Sequence, residues 1–352
     1  MPNNKYILRE IQPSDSAGLT KLITGFDGDL TTRFLVDPYE AIVYGTEFRT
    51  TGVVVEAEGY DGFIGMGTVR FSQVHYNGET LPLAFLDGLK VHEDFRGQGL
   101  GYKIATWRIQ RAREEFGEQC VIGTGMLHDN HASHAVAAKW CREFVESAVE
   151  VRFVPTHARQ PRPVAGVTVR EIEPREYEEF AGKQNTFFRR YNLYPPASRE
   201  GIMNALNVTV GGKRPYQYYA AVDAQGNLLA GAQTWARGLL KSDTVNQLPA
   251  AMRLMNKVLH VLPPDFVIRD VSVSGLWYES DQRQAAQVLW EMMRWICKDQ
   301  GTNIAVSLDA RDPGLDLIVL KPWHQPRPKI TIALHAPTAL SREPLLYASG
   351  RV

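Results

Sequence analysis

The sequence predicts an α/β fold with a mixed sheet (α+β), built as two tandem copies of one domain. Three observations carry this. Residues 81–107 hold LPLAFLDGLKVHEDFRGQGLGYKIATW, an apolar run, a glycine-rich loop and then a helical pattern. Arg9-Glu10-Ile11-Gln12-Pro13 returns as Arg170-Glu171-Ile172-Glu173-Pro174, each after a short β-rich run. A recurrence at this distance marks a duplicated domain rather than a solenoid of short repeats. Between the copies, Val154 to Gly166 carries three prolines and a glycine, which is linker composition. The expected division is a first domain at 1–155, a linker at 156–166 and a second domain at 167–352.

Each element has a local reason. Tyr6 to Ile11 reads as a strand, and Ala17 to Thr24 as a helix. Phe26 to Leu30 fills the gap before a second helix that includes Pro38 to Tyr44. Gly52 to Glu58 and Phe63 to Phe71 are strands around the turn Tyr60-Asp61-Gly62, and Asn77-Gly78 signals another tight turn. A strand at Leu83 to Val91 feeds the glycine loop, and its helix runs to about Phe116. A strand at Cys120 to Leu127, a helix at His131 to Val145 and a last strand at Val149 to Val154 complete the first copy. The second copy opens with a strand at Val167 to Ile172 and a hairpin, Tyr216 to Asp223 and Leu228 to Ala236. A helix at Met252 to Leu262 stops at Pro263-Pro264, and Phe266 to Tyr278 alternates as a strand. Asp281 to Gln300 has apolar residues at helical spacing, and Ile304 to Leu308 and Ile330 to Leu334 are the closing strands.

The loop after Val91 is built for an anion. The first helical turn leaves backbone N–H groups without partners, and the helix dipole makes that end positive. Glycines remove blocking Cβ atoms and permit positive φ, so successive amides can face one phosphate group. Here the segment is Arg96, Gly97, Gln98, Gly99, Leu100 and Gly101. The Gly-Lys-Ser/Thr ending of a nucleotide P-loop is absent, and the glycine spacing does not fit G-x-G-x-x-G. Arg96, Gly99 and Gly101 do give R-x-x-G-x-G behind an apolar strand.

This segment resembles the coenzyme A signature of the GNAT N-acetyltransferases, and the order of strands and helices extends the resemblance over the first half. It implies acetyl-CoA as co-substrate and an amine as acceptor. It places Arg96, Gly97, Gln98, Gly99, Leu100 and Gly101 on the pyrophosphate, and Leu89 and Val91 beside the pantetheine arm, with the Val91 amide facing the thioester carbonyl. It makes Asn130 a contact to that arm; a helix cap is the other use of this residue. Asp87 is the candidate base. Period two would put it on the face of Val91, and a carboxylate in an apolar strand is costly unless paired or useful. The alternative is an aspartate held by turn amides next to Gly88. One departure stands out. The family's tyrosine position holds Ala137 counted from Asn130, or Lys139 counted from Phe144, and neither is a phenol.

The second copy carries Glu279-Ser280-Asp281-Gln282-Arg283-Gln284 where the loop would be, with no glycine and two carboxylates. It is expected to keep the fold and to bind no cofactor. Asp27 and Asp29 either hold a cationic acceptor or serve as a cap and a solvated charge. Phe187, Phe188, Tyr191 and Tyr194 either line a pocket between the domains or belong to a core. His128, His131 and His134 share helical spacing, yet nothing completes a ligand set, so no metal is expected.

Composition narrows the class. The 352 residues are 44% hydrophobic with formal net charge +0, which suits packed cores and gives no footprint for nucleic acid. Cys120, Cys141 and Cys297 make no disulfide framework. There is no apolar leader at the start and no run of the ~20 apolar residues that a membrane span takes. The expectation is a cytoplasmic enzyme acting on a small-molecule amine without membrane contact, monomeric as a pseudo-dimer of domains or a homodimer. Its rivals are a non-catalytic acyl-CoA sensor or scaffold and a transferase of longer acyl groups.

Overall fold

The computed structural model describes residues 6–24, 30–247, 250–259, 262–318, 320 and 328–347. In the first half the strands are β1 (Tyr6–Glu10), β2 (Leu30–Phe34), β3 (Arg49–Ala57), β4 (Gly65–Tyr76), β5 (Glu79–Val91), β6 (Val121–Leu127) and β7 (Glu143–Pro155). The helices there are α1 (Ser16–Thr24), α2 (Pro38–Val43), α3 (Leu100–Phe116) and α4 (His131–Ala137). The second half has β8 (Thr168–Glu171), β9 (Tyr191–Asn192), β10 (Tyr216–Val222), β11 (Leu228–Trp235), β12 (Lys241–Val245) and β13 (Val267–Ile268). It continues with β14 (Asp270–Tyr278), β15 (Asn303–Asp309), β16 (Lys329–His335) and β17 (Leu345–Leu346). Its helices are α5 (Tyr177–Phe188), α6 (Arg199–Asn207), α7 (Ala250–Leu259) and α8 (Arg283–Ile296).

One mixed sheet of 12 strands runs through both halves in the order β1-β3-β4-β5-β6-β16-β7-β15-β14-β11-β10-β8. The halves exchange strands at its middle. β16, from the end of the chain, lies between β6 and β7, and β7 pairs antiparallel with β15 of the second half. Val145, Val149 and Val151 bury against Ile330, Ile332 and Leu334 at this seam. A smaller sheet, β13-β12-β2, joins the halves again by pairing Lys241–Val245 with Leu30–Phe34.

The repeated pentapeptide has a definite job. Arg9 makes two hydrogen bonds to Asp15, both 2.8 Å, and Asp15 accepts from the Gln12 amide. Arg170 does the same to Glu176 at 2.7 and 2.6 Å, and Glu176 accepts from the Glu173 amide. Each pair clamps an edge strand to the turn before the first helix of its half, a bidentate charge-assisted contact.

Two readings are corrected. The helix expected over His131 to Val145 ends at Ala137, and residues from Glu143 onward are strand. The β-branched Val145, Val149, Val151 and Val154 favour the pleat, and β16 and β15 satisfy its backbone on both sides. Phe266 to Tyr278 is two strands rather than one. The readings of Phe26, Asp27, Gly28 and Asp29 lie outside the described residues. Among those residues, no helix is long and apolar enough to cross a membrane.

Candidate active site

β5 and β6 start as parallel neighbours and then part. Leu83–Phe85 pair with Val121–Gly123, and pairing stops there. At the point of divergence the Thr124 hydroxyl donates to the Leu86 carbonyl at 2.7 Å. Below it opens a cleft of about 200 Å³, lined by Asp87, Gly88, Leu89, Arg108, Gly125, Asn130, Ser133, Ala137 and Trp140, among others. Among the described residues, no strand pairs with this edge of β5 beyond Phe85. The His92 amide donates back to Ile64 of the neighbouring chain segment at 2.9 Å. Amides alternate sides along a strand, so the Val91 N–H points away from β4, to the side that β6 has left.

A bulge shapes the same edge. Thr68 pairs with Asp87 and Met66 with Lys90, so Gly67 of β4 faces two residues of β5, Gly88 and Leu89. Gly88 absorbs the extra residue at φ +61°, a conformation costly for any side chain. The bulge corrects the expectation of a shared face. Asp87 points to the side of Thr68 and Lys90, while Val91 packs on the α3 side with Leu100 and Ile104.

The loop holds the shape its glycines permit. Gly97 sits at φ +78° and Gly99 at φ +80°, with open space where a Cβ would go. Gly99 caps the 17-residue α3. Gly101 lies inside the first helical turn, and a Cβ there would come within 3.0 Å of Val136 in α4. Arg96 Nε donates to the Val91 carbonyl at 3.2 Å, tying loop to strand. Gln98 is held by its donation to the Asp94 carbonyl and by the Tyr6 hydroxyl. Leu100 is core, 1% exposed, so its backbone alone can face a ligand. Asn130 lines the cleft and caps α4, accepting from Ser133 N at 3.1 Å.

Asp87 is half exposed. One carboxylate oxygen accepts from the Gly88 amide at 2.7 Å and the other meets Arg70 at 3.1 Å. Beneath the bulge lies Arg108, 3% exposed, donating to the carbonyls of Asp87 at 3.0 Å and Thr68 at 3.3 Å. Burial pushes its pKa down to about 10, against the pull of Asp87. Sequence reading missed Arg70 and Arg108. Their signal was there: Arg70 alternates with Thr68 and Ser72 on one strand face, and Arg108 shares a helix stripe with Ile104, Ala105 and Ala112.

On the far side of Asp87 two more cavities begin. One, about 260 Å³, shares Asp87, Gly88 and Leu89 with the cleft and is walled by Trp235, Arg237, Leu240 and Lys241 of the second half. The other, about 160 Å³ and mostly apolar, meets the cleft at Gly125 and its neighbour at Arg70. Phe48, Phe85, Leu193, Ile202, Tyr218 and Leu334 line it.

Among the described residues no tyrosine lines the cleft: Ala137 and Trp140 do, while Lys139 stacks its ammonium over Tyr102. His128 pairs with Glu146 and Thr331, and His134 stacks on Phe144. Phe187, Phe188, Tyr191 and Tyr194 join one buried aromatic cluster of the second half.

The model of the acetyltransferase (GNAT) family matches residues 26–141. Among solved structures, N-myristoyltransferase of Saccharomyces cerevisiae with bound myristoyl-CoA superposes at TM-score 0.64, over 98% of this chain and 87% of that one, at 9% identity. A GCN5-related N-acetyltransferase of Sphaerobacter thermophilus gives 0.55 over 96% and 98% at 14% identity. Another from Kribbella flavida gives 0.52 over 94% and 71% at 14% identity. At such identities the likeness is one of fold. No curated protein matches the sequence significantly.

Proposed function

For a chain that carries an acyltransferase domain of the GNAT family at residues 26–141, we propose N-acyl transfer from acyl-CoA to an amine. The observation that carries this is the meeting of two cavities at one carboxylate. The cleft between β5 and β6 takes the pantetheine arm, and the loop from Arg96 to Gly101 takes the pyrophosphate. Asp87 stands where the cleft opens onto the cavity walled by the second half.

The step balances with few groups. The Val91 amide hydrogen-bonds the thioester oxygen and stabilises the oxyanion that forms as the amine nitrogen adds to the carbonyl carbon. Asp87 accepts the proton that the nitrogen sheds. The carbon–sulfur bond then breaks and the electron pair leaves on coenzyme A sulfur. Arg108, cationic and buried under the bulge, adds positive potential where charge develops. Among the described residues no phenol lines the cleft, so the thiolate leaves without a tyrosine acid and takes its proton from water.

Acetyl-CoA is the first donor to test. The apolar cavity that meets the cleft at Gly125 favours a second reading, a longer acyl group lying over Phe85 and Leu334; the yeast neighbour above holds myristoyl-CoA. Thiol release measured with acetyl-, octanoyl- and myristoyl-CoA across a panel of amines decides between donors. Release with none of them, despite binding, would make the protein a sensor rather than an enzyme.

A further inference from the structure

The polar cavity beyond Asp87 says more about the acceptor than the fold does. Four cations line it: Arg70, Lys90, Arg237 and Lys241. Three have partners. Arg70 meets Asp87 at 3.1 Å, Lys90 donates to the Ile23 carbonyl at 3.0 Å, and Arg237 is held between Asp243 and Asp270. Lys241 has no hydrogen bond or ion pair among the described residues, although its backbone is fixed by pairing with Phe34 of the first half. The side chain is partly buried on the wall of the cavity, which it faces together with Asp87. Burial pushes its pKa down to about 8, Arg237 adds to the shift, and Asp243, Asp87 and Asp270 oppose it. A partly buried cation that faces a cavity, with no hydrogen-bond or ion-pair partner among the described residues, is placed to take an incoming anion.

We propose that this cavity recognises an acceptor bearing a carboxylate besides its amine, with Lys241 holding the carboxylate while the amine lies at Asp87. The inference rests on the acyltransferase reading and narrows its substrate class to amino-carboxylates. Lys241 is a positioning residue contributed by the second half, so the two halves would read opposite ends of one small zwitterion. A site built around a charged hydrogen-bonding group rejects the analogue that lacks it far more strongly than an apolar pocket rejects a shorter chain.

The test compares amines in matched pairs: leucine with isopentylamine, phenylalanine with phenethylamine, 6-aminohexanoate with hexylamine. Thiol release from the best of the three donors is followed for the wild type, Lys241→Met and Lys241→Arg, with acyl-CoA affinity measured in parallel. The wild type is expected to favour the carboxylated member by at least about tenfold in kcat/KM. Lys241→Met should bring each pair level, chiefly by raising KM, and Lys241→Arg should restore most of the preference. Equal use of both members by the wild type, or a preference that survives Lys241→Met, overturns the inference. So does a loss confined to kcat for both members, which would place Lys241 in the chemistry. Binding of acyl-CoA without turnover of any pair also overturns it while leaving the cofactor cleft standing. Failure to bind any acyl-CoA removes the cleft reading and the inference with it.

Discussion

The duplicated sheet parts its strands twice, and only one gap is a cleft. In the first half β5 leaves β6 after Phe85; in the second, β14 pairs with β15 through Val273 and then departs. Both departures carry the same bulge. Gly88 and Gly275 each sit at φ +61°, in a bulge where two residues face one of the neighbouring strand. The pairing Thr68 with Asp87 corresponds to Gln233 with Ser274, so the carboxylate of one copy is a hydroxyl in the other. The gaps then diverge. The first keeps about 200 Å³ beside Gly88 and Gly125, whereas Phe187, Phe188, Tyr191 and Tyr347 fill the second to about 20 Å³. Where the first copy has a glycine loop, the second ties Glu279 to Lys183 at 2.7 Å and places Asp281 at φ +64°. The clamp and the bulge belong to the fold. The cleft belongs to the loop and to the size of the side chains around it.

The largest test of this contrast is removal of the carboxylate from the working copy. Asp87→Asn should lower kcat by roughly a hundredfold or more, the scale of a lost general base. Its acyl-CoA affinity should stay as in the wild type. Ser274→Ala, the matching change in the filled gap, should leave turnover alone. A normal rate for Asp87→Asn would take Asp87 out of the chemistry. Next comes the loop. Gly99→Val forces a branched side chain to φ +80° at the cap of α3 and should weaken calorimetric acyl-CoA binding by at least about tenfold; the left-handed conformation itself costs about 1–2 kcal/mol. Affinity equal to the wild type would mean that the ligand sits elsewhere.

The filled gap predicts stability, not binding. Phe188→Ala removes a buried ring stacked on Tyr194 and edge-on to Tyr191 and Tyr347, and should cost about 3–5 kcal/mol in denaturant unfolding. Titration should still show one acyl-CoA per chain. A second equivalent of bound ligand would show that side-chain size alone had closed that site.

The smallest effect concerns what the copies share. The Arg170 guanidinium holds the Glu176 carboxyl below the ordinary carboxylate range, although burial works the other way. At Asp15 burial is the larger influence and raises the pKa, yet Arg9 and the Gln12 amide together bring it below that range. A carboxylate with a depressed folded pKa stabilises above its unfolded value, about 4, and loses that contribution as pH falls through the folded value. Arg9→Met and Arg170→Met should each cost about 1–3 kcal/mol at pH 7. Below about pH 4 each variant should approach the wild type, as the carboxylates protonate. A constant penalty down to pH 2 would remove the clamps from the acid response.

Local signals were legible in the sequence. The Asn77-Gly78 hairpin, the cradle of Gly97 and Gly99 and the eroded loop at Glu279 all rest on φ preferences or charges that a short window displays. The repeated pentapeptide announced the duplication, but not the clamp that each arginine makes to a carboxylate six residues on. Distant pairing was not legible. Nothing near Glu143 says that its partner is Leu334, so the strand there passed for a helix. The bulge at Gly88 also stayed hidden, since one glycine in a strand does not reveal a slipped register, and it reversed the expected face of Asp87 relative to Val91. Lys241 fell in no expected element. Its place in the acceptor cavity follows from β12 pairing with β2 of the other half.

The most direct measurement is a crystal structure with a thioether analogue of acetyl-CoA, which cannot transfer its acyl group. One molecule per chain is expected, its pyrophosphate on the amides from Gly97 to Gly101 and its pantetheine along Leu86 to Val91. Its reacting carbon should lie within reach of the Val91 amide. A ligand seated between β14 and β15, or one whose pyrophosphate avoids the glycine loop, contradicts the account.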